Sequence, residues 1–442
     1  MYRIPRLTTR LRNGSRLYRG MSSTTRTEET LSLASKYILP VYARPDIVLL
    51  HGKGSYVYTE NRKFLDFTAG IAVNALGHAD EGVVQTIAEQ AGKLLHTSNV
   101  YHNEHAPRLA QLLVTLTQRD GGLGFSPGSS TGGAKVFFAN SGTEANEGAS
   151  IFSVARKVGK DRGGASKTRI VCFENSFHGR SMGALSVTSN HKYQNPFTPL
   201  LPGIDVGTLN DTAALQALVT DETCAVIVEP IQGEGGVNSA EIEWLAALRS
   251  RQEICALVVY SDLPRQCGLY RTGMLWAHSA LAVECHPDIV TMAKPLANGY
   301  PIGAVLMRDS VAETMTAGVH GTTFGGSPLA CAVGVHVLSR LADPQSVAQI
   351  NATSAYLQQR LLELPARFPK ILESSIRGRG LIRGLGFLDE THPALVVEKA
   401  REHGVFLLTA GKQTVRLVPS LNIGQEEVDT AVDALVSSME TL

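Results

Sequence analysis

Short apolar runs separated by longer amphipathic stretches set the rhythm of the middle of this chain. The runs are Ala134-Lys135-Val136-Phe137-Phe138, Ile170-Val171-Cys172-Phe173, Ala225-Val226-Ile227-Val228, Ala256-Leu257-Val258-Val259-Tyr260 and Ile302-Gly303-Ala304-Val305-Leu306-Met307. Near-continuous apolar runs of this length fit strands covered on both faces. Strands alternating with helices predict a mainly parallel sheet with helices on either side. Upstream, residues 47–67 read as β-strands around turns at Gly52 and Gly54, and 80–118 as two helices. Residues 121–133, rich in Gly and Ser, read as an exposed polar loop. After Pro344 the pattern changes to a helix over 346–362, two apolar strands around the glycines of 378–386, a helix over 394–402, strands at 405–409 and 414–418, and a last helix from Glu426. The glycines of 378–386 lack the following helix of a dinucleotide loop and read as turns. The expected fold class is α/β: a large domain over 81–342 with a mainly parallel sheet, and a smaller α+β C-terminal domain over 343–442. Residues 28–80 form an N-terminal segment expected to pack with the small domain.

In a sheet of this kind, ligands sit beyond the carboxyl ends of the strands. The polar residues cluster there: Asn140-Ser141-Gly142-Thr143 after the first run, Phe177-His178-Gly179-Arg180 after the second, Glu229 after the third and Asp262 after the fourth. Asn140 to Asn146 leaves a strand and enters a helix. Hydroxyls and a glycine at a helix N-terminus suit an anion, and equally an ordinary N-cap. Lys294 lies among apolar residues in Met292-Ala293-Lys294-Pro295-Leu296. Partial burial of such a lysine lowers its pKa and exposes a nucleophilic amine.

Composition adds one asymmetry. The 442 residues carry a formal net charge of +1, but residues 1–27 hold seven Arg and no acid, and without them the body turns to −6. An acidic body gives no footprint for nucleic acid. An Arg-rich, Ser-rich and acid-poor head has the composition of a mitochondrial transit segment, so the mitochondrial matrix is the expected compartment. No apolar run is long enough for a transmembrane helix. The six cysteines form no CxxC pair and show no metal-ligand spacing with His, so no metal site is expected and the cysteines read as reduced and mostly buried.

Five motifs occur in order: Asn-Ser-Gly-Thr-Glu-Ala-Asn at 140–146, Ser-Phe-His-Gly-Arg at 176–180, Glu-Pro-Ile-Gln-Gly-Glu-Gly-Gly at 229–236, Ala-Lys-Pro-Leu-Ala-Asn-Gly at 293–299, and His-Gly-Thr-Thr-Phe-Gly-Gly-Ser-Pro at 320–328. From about Tyr42 to the C-terminus the chain resembles the class III (ornithine-type) aminotransferases, which have fold type I and use pyridoxal 5′-phosphate. The resemblance implies that Lys294 holds the cofactor covalently and moves the proton at the reacting carbon. It implies that Ser141, Gly142 and Thr143 cradle the phosphate and that Phe177 stacks on the ring. Arg180 would take a substrate carboxylate. Thr322 would touch substrate, and Thr323 would reach the phosphate across a homodimer interface. Glu234 and Arg416 match a pair in which Arg416 binds the carboxylate of 2-oxoglutarate and Glu234 masks it. The partners implied are small amino-acid and 2-oxo-acid substrates and a second copy of the chain.

One motif departs from the family, which reads Tyr-Asp-Glu-Ile-Gln-Cys-Gly. Here the stretch is Tyr260-Ser261-Asp262-Leu263-Pro264-Arg265-Gln266-Cys267-Gly268, with five residues between Tyr and Gln where the family has three. Asp262 is the acid left to pair with the pyridine nitrogen, and Gln266 the second cofactor contact. Because strand side chains alternate faces, a one-residue shift turns Asp262 away unless a bulge restores it. A homologue with weakened or lost turnover therefore stays an alternative. Tyr270 stands where the family has Gly. The segment Thr68-Ala69-Gly70-Ile71-Ala72-Val73-Asn74 resembles that of the family's acetylornithine branch. It carries Gly70 where ornithine-using members have Tyr, so the resemblance implies N2-acetylornithine as amino donor, with ornithine or 4-aminobutyrate as alternatives.

Overall fold

A computed structural model of the protein describes residues 25–251, 257–261 and 268–442. Two compact units divide the chain, one within Met1–His51 and Tyr58–Arg62, the other Gly52–Val57 with Lys63–Leu442. In the first unit the helix Arg26–Tyr37 starts at a capping box. The Thr25 hydroxyl accepts from the Glu28 N–H at 3.3 Å, and the Glu28 carboxylate accepts from the Thr25 N–H at 2.8 Å. The rings of His51 and Tyr58 stack 4.4 Å apart.

The second unit is built on a seven-stranded sheet. Its strands are β1 (Ala134–Ala139), β2 (Arg169–Phe173), β3 (Ile204–Gly207), β4 (Thr223–Val228), β5 (Leu257–Ser261), β6 (Ile289–Met292) and β7 (Gly303–Arg308), in the spatial order β1-β7-β6-β5-β4-β2-β3. Only β7 runs against its neighbours, pairing antiparallel with both β1 and β6, so the sheet is mainly parallel as its apolar runs predict. Every residue of β4 and β6 is buried. Alternation explains how: Ala225 and Ile227 join one apolar cluster with Val158, Cys172 and Val259, while Val226 and Val228 join another with Phe173, Trp244 and Tyr260.

The five apolar runs supply β1, β2, β4, β5 and β7, although Ala256 lies outside the described residues. Two strands escape that reading. β3 is a partly exposed edge strand, Ile-Asp-Val-Gly, with no continuous apolar run. β6 is only four residues long and is boxed in by Pro287-Asp288 before it and Lys294 shortly after. The 121–133 loop is also corrected. Residues 126–132 do lie at the surface, but 121–125 tuck inward, with Leu123 and Phe125 in the core. Gly121 and Gly122 take positive φ to make that turn (+84° and +129°), which residues with a Cβ rarely adopt.

A second, antiparallel sheet is formed by β8 (Leu372–Arg379), β9 (Ile382–Phe387), β10 (Leu408–Ala410) and β11 (Thr414–Leu417), in the order β8-β9-β11-β10. The helices Pro344–Leu362, His392–Glu402 and Gln425–Met439 accompany it. The earlier strand Lys63–Asp66 joins this part of the chain by pairing in parallel with Val405–Phe406. At the turn between β8 and β9, Gly380 has φ +65°, and a Cβ there would lie 2.2 Å from the Arg271 carbonyl oxygen. Cys172, Cys224, Cys285 and Cys331 are buried and unpaired, whereas Cys255 and Cys267 lie outside the described residues. Among the described residues no group of three or more His, Cys, Asp or Glu could hold a metal, and no helix is long and apolar enough to cross a membrane.

One buried ion pair locks the sheet to its covering helix. Both guanidinium nitrogens of Arg249, on the helix Ile242–Ser250, donate to Asp288 at 2.6 and 2.9 Å, and Asp288 also accepts from the Val258 N–H of β5 at 2.8 Å. Removing this cation leaves the buried carboxylate only Arg308, 3.8 Å away, as a counter-charge among the described residues. Arg249→Ala is expected to destabilise the protein by about 3 kcal/mol, read as a drop in the midpoint of urea unfolding.

Candidate active site

The carboxyl edge of the large sheet gathers the residues of interest. Ser141 stands two positions beyond β1, Phe177 four beyond β2, Glu229 one beyond β4 and Lys294 two beyond β6. β1 hands over to a short helix, Gly142–Glu144, which widens into a π-helix over Ala145–Ala155. π-turns are rare and concentrate at functional sites. Ser141 caps this helix, its hydroxyl accepting from the Glu144 N–H at 3.3 Å. The N-cap and anion-site readings are therefore compatible, because the remaining first-turn N–H groups have no partner within the helix. Gly303 lets β7 approach: a Cβ there would lie 2.3 Å from the Ser141 carbonyl oxygen.

The helix also moors the loop that bears Phe177, His178 and Arg180. The Thr143 and Ser181 hydroxyls lie 2.7 Å apart, and Ser181 donates on to Glu147, whose carboxylate also accepts from the N–H groups of Gly183 and Ala184. Asn146 is fully buried. Its amide donates to the His178 carbonyl at 2.9 Å and to the Ser261 hydroxyl at 3.4 Å, and its oxygen accepts from Thr291 at 2.8 Å. The Phe177 N–H donates to Glu229 at 2.6 Å. Arg180 lays its guanidinium 3.6 Å from the centre of the Tyr193 ring and 5.6 Å from that of Phe177.

Lys294 is half-buried and opens a short 3₁₀ turn, Lys294–Ala297, with φ +40°. The left-handed region costs a residue with a Cβ about 1–2 kcal/mol, and such strain concentrates where geometry serves function. Arg416, on β11, is buried and reaches Glu234 at 3.3 Å and the Gly233 carbonyl at 2.5 Å. Burial pulls the Arg416 guanidinium down to about 10, while the Glu229 carboxylate acts to raise it, so it stays charged at neutral pH. Tyr193 also points its hydroxyl at Glu234, 3.4 Å away. A cavity of about 770 Å³ opens here, lined by Phe177, Lys192, Tyr193, Glu234, Arg377 and Lys412 among others.

Phe177, Arg180, Glu234 and Arg416 are thus brought together, and Ser141, Gly142, Thr143 and Lys294 share one sheet edge. Thr322 is tied to the segment that flanks the Ser141–Thr143 turn, its hydroxyl donating to Glu144 at 2.6 Å and accepting from Asn140 at 3.0 Å. Thr323 is exposed beside it. Asp262 and Gln266 lie outside the described residues. Tyr270, on the far side of that stretch, is buried with φ +70°, and its hydroxyl bonds Asp120 at 2.8 Å and Arg119 at 2.9 Å. The positive φ explains why glycine suits this position.

The sequence reading passed over Tyr193 and the role of Asn146. Tyr193 sits on a single helical turn, His191–Gln194, too short to show a periodicity. Asn146 looks like any polar residue of a helix until its burial is seen.

A half-buried lysine in left-handed backbone and an anion-receptive helix start at the carboxyl edge of a mainly parallel sheet, with a masked arginine supplied by the second sheet, define a lysine-centred transferase site for carboxylate-bearing substrates. The Aminotransferase class-III family model matches residues 40–439. The chain belongs to the class III aminotransferases, with the fold type I architecture. It is 48% identical over 407 residues to the mitochondrial acetylornithine aminotransferase of Yarrowia lipolytica, covering 92% of this chain and 94% of that protein. Among solved structures it resembles the ornithine aminotransferase of Toxoplasma gondii (TM-score 0.84, 30% identity, 95% of this chain and 96% of that one). It also resembles the N-acetylornithine aminotransferase of Stenotrophomonas maltophilia (TM-score 0.75, 33% identity, 93% and 98%).

His178 yields a pH prediction. It is buried, neither ring nitrogen has a hydrogen-bond partner among the described residues, and burial pushes its imidazole down to about 3. The unfolded chain binds a proton near pH 6.5 and the folded chain does not until about pH 3, so stability must fall as pH drops through that window. His178→Leu, which leaves no polar atom to orphan, is expected to keep stability at pH 7 and to flatten the loss between pH 6.5 and 4, measured by denaturant unfolding across pH.

Proposed function

We propose that this chain moves the δ-amino group of N2-acetylornithine to 2-oxoglutarate, giving N-acetylglutamate 5-semialdehyde and glutamate, as a pyridoxal 5′-phosphate-dependent aminotransferase of arginine biosynthesis in the mitochondrial matrix. The observation that carries this reading is Lys294 in strained backbone at the same sheet edge as the Ser141–Gly142–Thr143 turn, in a chain with a masked arginine, Arg416 against Glu234. Relatives named as mitochondrial acetylornithine aminotransferases support the donor and the compartment, as does the Arg-rich stretch 1–27.

The residues present fit the cofactor. A helix start supplies N–H groups for a phosphate, an aromatic ring follows β2, and the orphaned imidazole of His178 marks a polar floor beside it. Pyridoxal phosphate, when bound, supplies an electron sink for the bond broken at the amino-bearing carbon. Lys294 is the group that takes the proton from that carbon and returns it. The 3₁₀ turn that it opens, with φ +40°, holds the amine in place. Gly142 and Thr143 hold the phosphate and Phe177 covers the ring. Asp262 and Gln266 are proposed to complete the cofactor contacts. Arg180 and Arg416 grip carboxylates, planar guanidinium groups being suited to a bidentate hold. Glu234 neutralises Arg416 when the amino donor is bound and swings aside for 2-oxoglutarate.

A homodimer belongs to the same proposal, with Thr323 reaching the partner's phosphate and Thr322 beside it at the substrate. Val100, Tyr101 and Phe324 are 80%, 71% and 61% exposed, and Asn99 donates to the Thr322 carbonyl at 2.8 Å. A second copy would cover this apolar patch. The division into 28–80, 81–342 and 343–442 is likewise proposed, supported by the two separate sheets and by the pairing of Leu65 with Val405.

The test is glutamate formation from 2-oxoglutarate with N-acetylornithine, ornithine or 4-aminobutyrate as donor, alongside the visible absorbance of the cofactor-loaded protein. N-acetylornithine is expected to give the highest kcat/KM and to bleach the absorbance band. Lys294→Ala is expected to lower turnover at least about 10³-fold with the fold intact. A band unchanged by all three donors and by glutamate would favour the homologue without turnover.

A further inference from the structure

Four consecutive residues, Ala69–Ala72, have positive φ: +46°, +62°, +64° and +61°. They form a left-handed helical turn closed by bonds from the Ala72 N–H to the Thr68 carbonyl and from the Val73 N–H to the Ala69 carbonyl, both 2.8 Å. L-residues visit this region singly and do not string it into turns unless the surroundings impose it. Only Gly70 is indifferent to it. Something must therefore hold the other three.

Two devices hold the turn. Asp66 precedes it, buried, with Oδ1 accepting from the Thr68 N–H at 2.9 Å, the Thr68 hydroxyl at 2.5 Å and the Ala69 N–H at 3.1 Å. Its Oδ2 lies 2.8 Å from His78 Nε2. Burial acts to raise the Asp66 carboxyl, but the bonds from His78 and Thr68 hold it below its ordinary value, so it only accepts and His78 Nε2 donates. Beyond the turn, Asn298, four residues after Lys294, accepts from the Leu76 N–H at 2.7 Å and donates to the Gly77 carbonyl at 3.0 Å.

The turn's surroundings connect it to the reaction. Ala72 is buried in an apolar cluster with Ile231, Val237, Ala410 and Val418, which bracket Glu234 and Arg416 in sequence. The turn thus packs on the segments that carry Glu234 and Arg416, the residues just after it are tied to the lysine loop through Asn298, and its crown, Gly70 and Ile71, is exposed.

We infer that Asp66 and His78 are positioning residues for the amino donor: they hold Ala69–Ala72 in a left-handed turn whose Gly70–Ile71 crown forms a wall of the donor end of the site. This rests on the reading of Lys294 and Arg416 as parts of one aminotransferase site. Without the clamp the turn relaxes toward right-handed backbone, the crown swings, and the donor fits less well. Glutamate, gripped through its carboxylates by arginines, does not depend on the wall.

The experiment compares single-turnover half-reactions of the cofactor-loaded full chain with N-acetylornithine and with glutamate. Asp66→Ala is expected to raise the half-saturation for N-acetylornithine about tenfold with the maximal rate within about twofold, and to leave glutamate within about twofold. Ala69→Gly, which frees a φ +46° position of its penalty, is expected to recover at least half of that loss when combined with Asp66→Ala. Amide exchange over 68–77 should quicken in Asp66→Ala and slow again in the double variant. Equal losses with both substrates, no loss with either, or no rescue by Ala69→Gly would each overturn the proposal. If Asp66→Ala does not fold, His78→Ala carries the same comparison with a smaller expected rise of about threefold. Should the wild-type enzyme not accept N-acetylornithine, the donor assignment falls on its own, and the clamp is tested with whichever amine it does accept against glutamate.

Discussion

A single buried carboxamide holds the working edge of this protein together. Asn146 has no exposed surface, yet it bonds the loop after β2 through the His178 carbonyl, β5 through Ser261 and β6 through Thr291. A primary amide is one of the few side chains that can both donate and accept in several directions, and in a buried setting every one of those bonds must be made. The separations of Phe177, Lys294 and the 141–143 turn thereby become fixed properties of the fold. The π-helical widening of Ala145–Ala155 begins one residue before Asn146, so the helix start and the buried amide are set by one irregularity.

The remaining polar groups of the site are arranged around a second constraint, the burial of charge. Arg416 lies inside the protein, where an uncompensated cation is costly, and Glu234, the Gly233 carbonyl and nearby Glu229 compensate it. A masked cation of this kind is ready to exchange one carboxylate for another, which an enzyme alternating between two acidic substrates needs. Glu234 sits in a glycine-rich stretch, Gly233 to Gly236. That stretch is pinned on one side by the bond from the Gly411 N–H to the Glu234 carbonyl at 2.7 Å.

Much of this was legible in the residues. The apolar runs marked five of the seven strands because parallel strands are buried on both faces and admit little else. The order of polar motifs after those runs marked the site because the strands' carboxyl ends converge. The misses share a cause. β3 and β6 are short, and β6 is bounded by Asp288, whose charge is tolerated because Arg249 reaches it from a helix some forty residues earlier. Residues 121–125 were read with the Gly- and Ser-rich stretch that follows them but are drawn inward by Leu123 and Phe125. The oddity of Tyr270 resolves into a positive-φ position with a hydroxyl tied to Asp120 and Arg119.

Local chemistry, read along the chain, determined five of the seven strands of the large sheet, the helix start at Ser141 and the apolar setting of the lysine, while the arginines were marked only by the family resemblance. The strands, the helix start and the lysine's setting depend on periodicity, capping and residue type over a few neighbours. Tertiary structure alone decided the hand of the turn at Ala69–Ala72, the burial of Arg416, the stacking of Arg180 on Tyr193 and the place of Asn146 beneath the site. Each of these joins residues distant in the chain, or holds backbone against its local preference. Such arrangements persist only because many bonds made elsewhere in the fold outweigh their local cost.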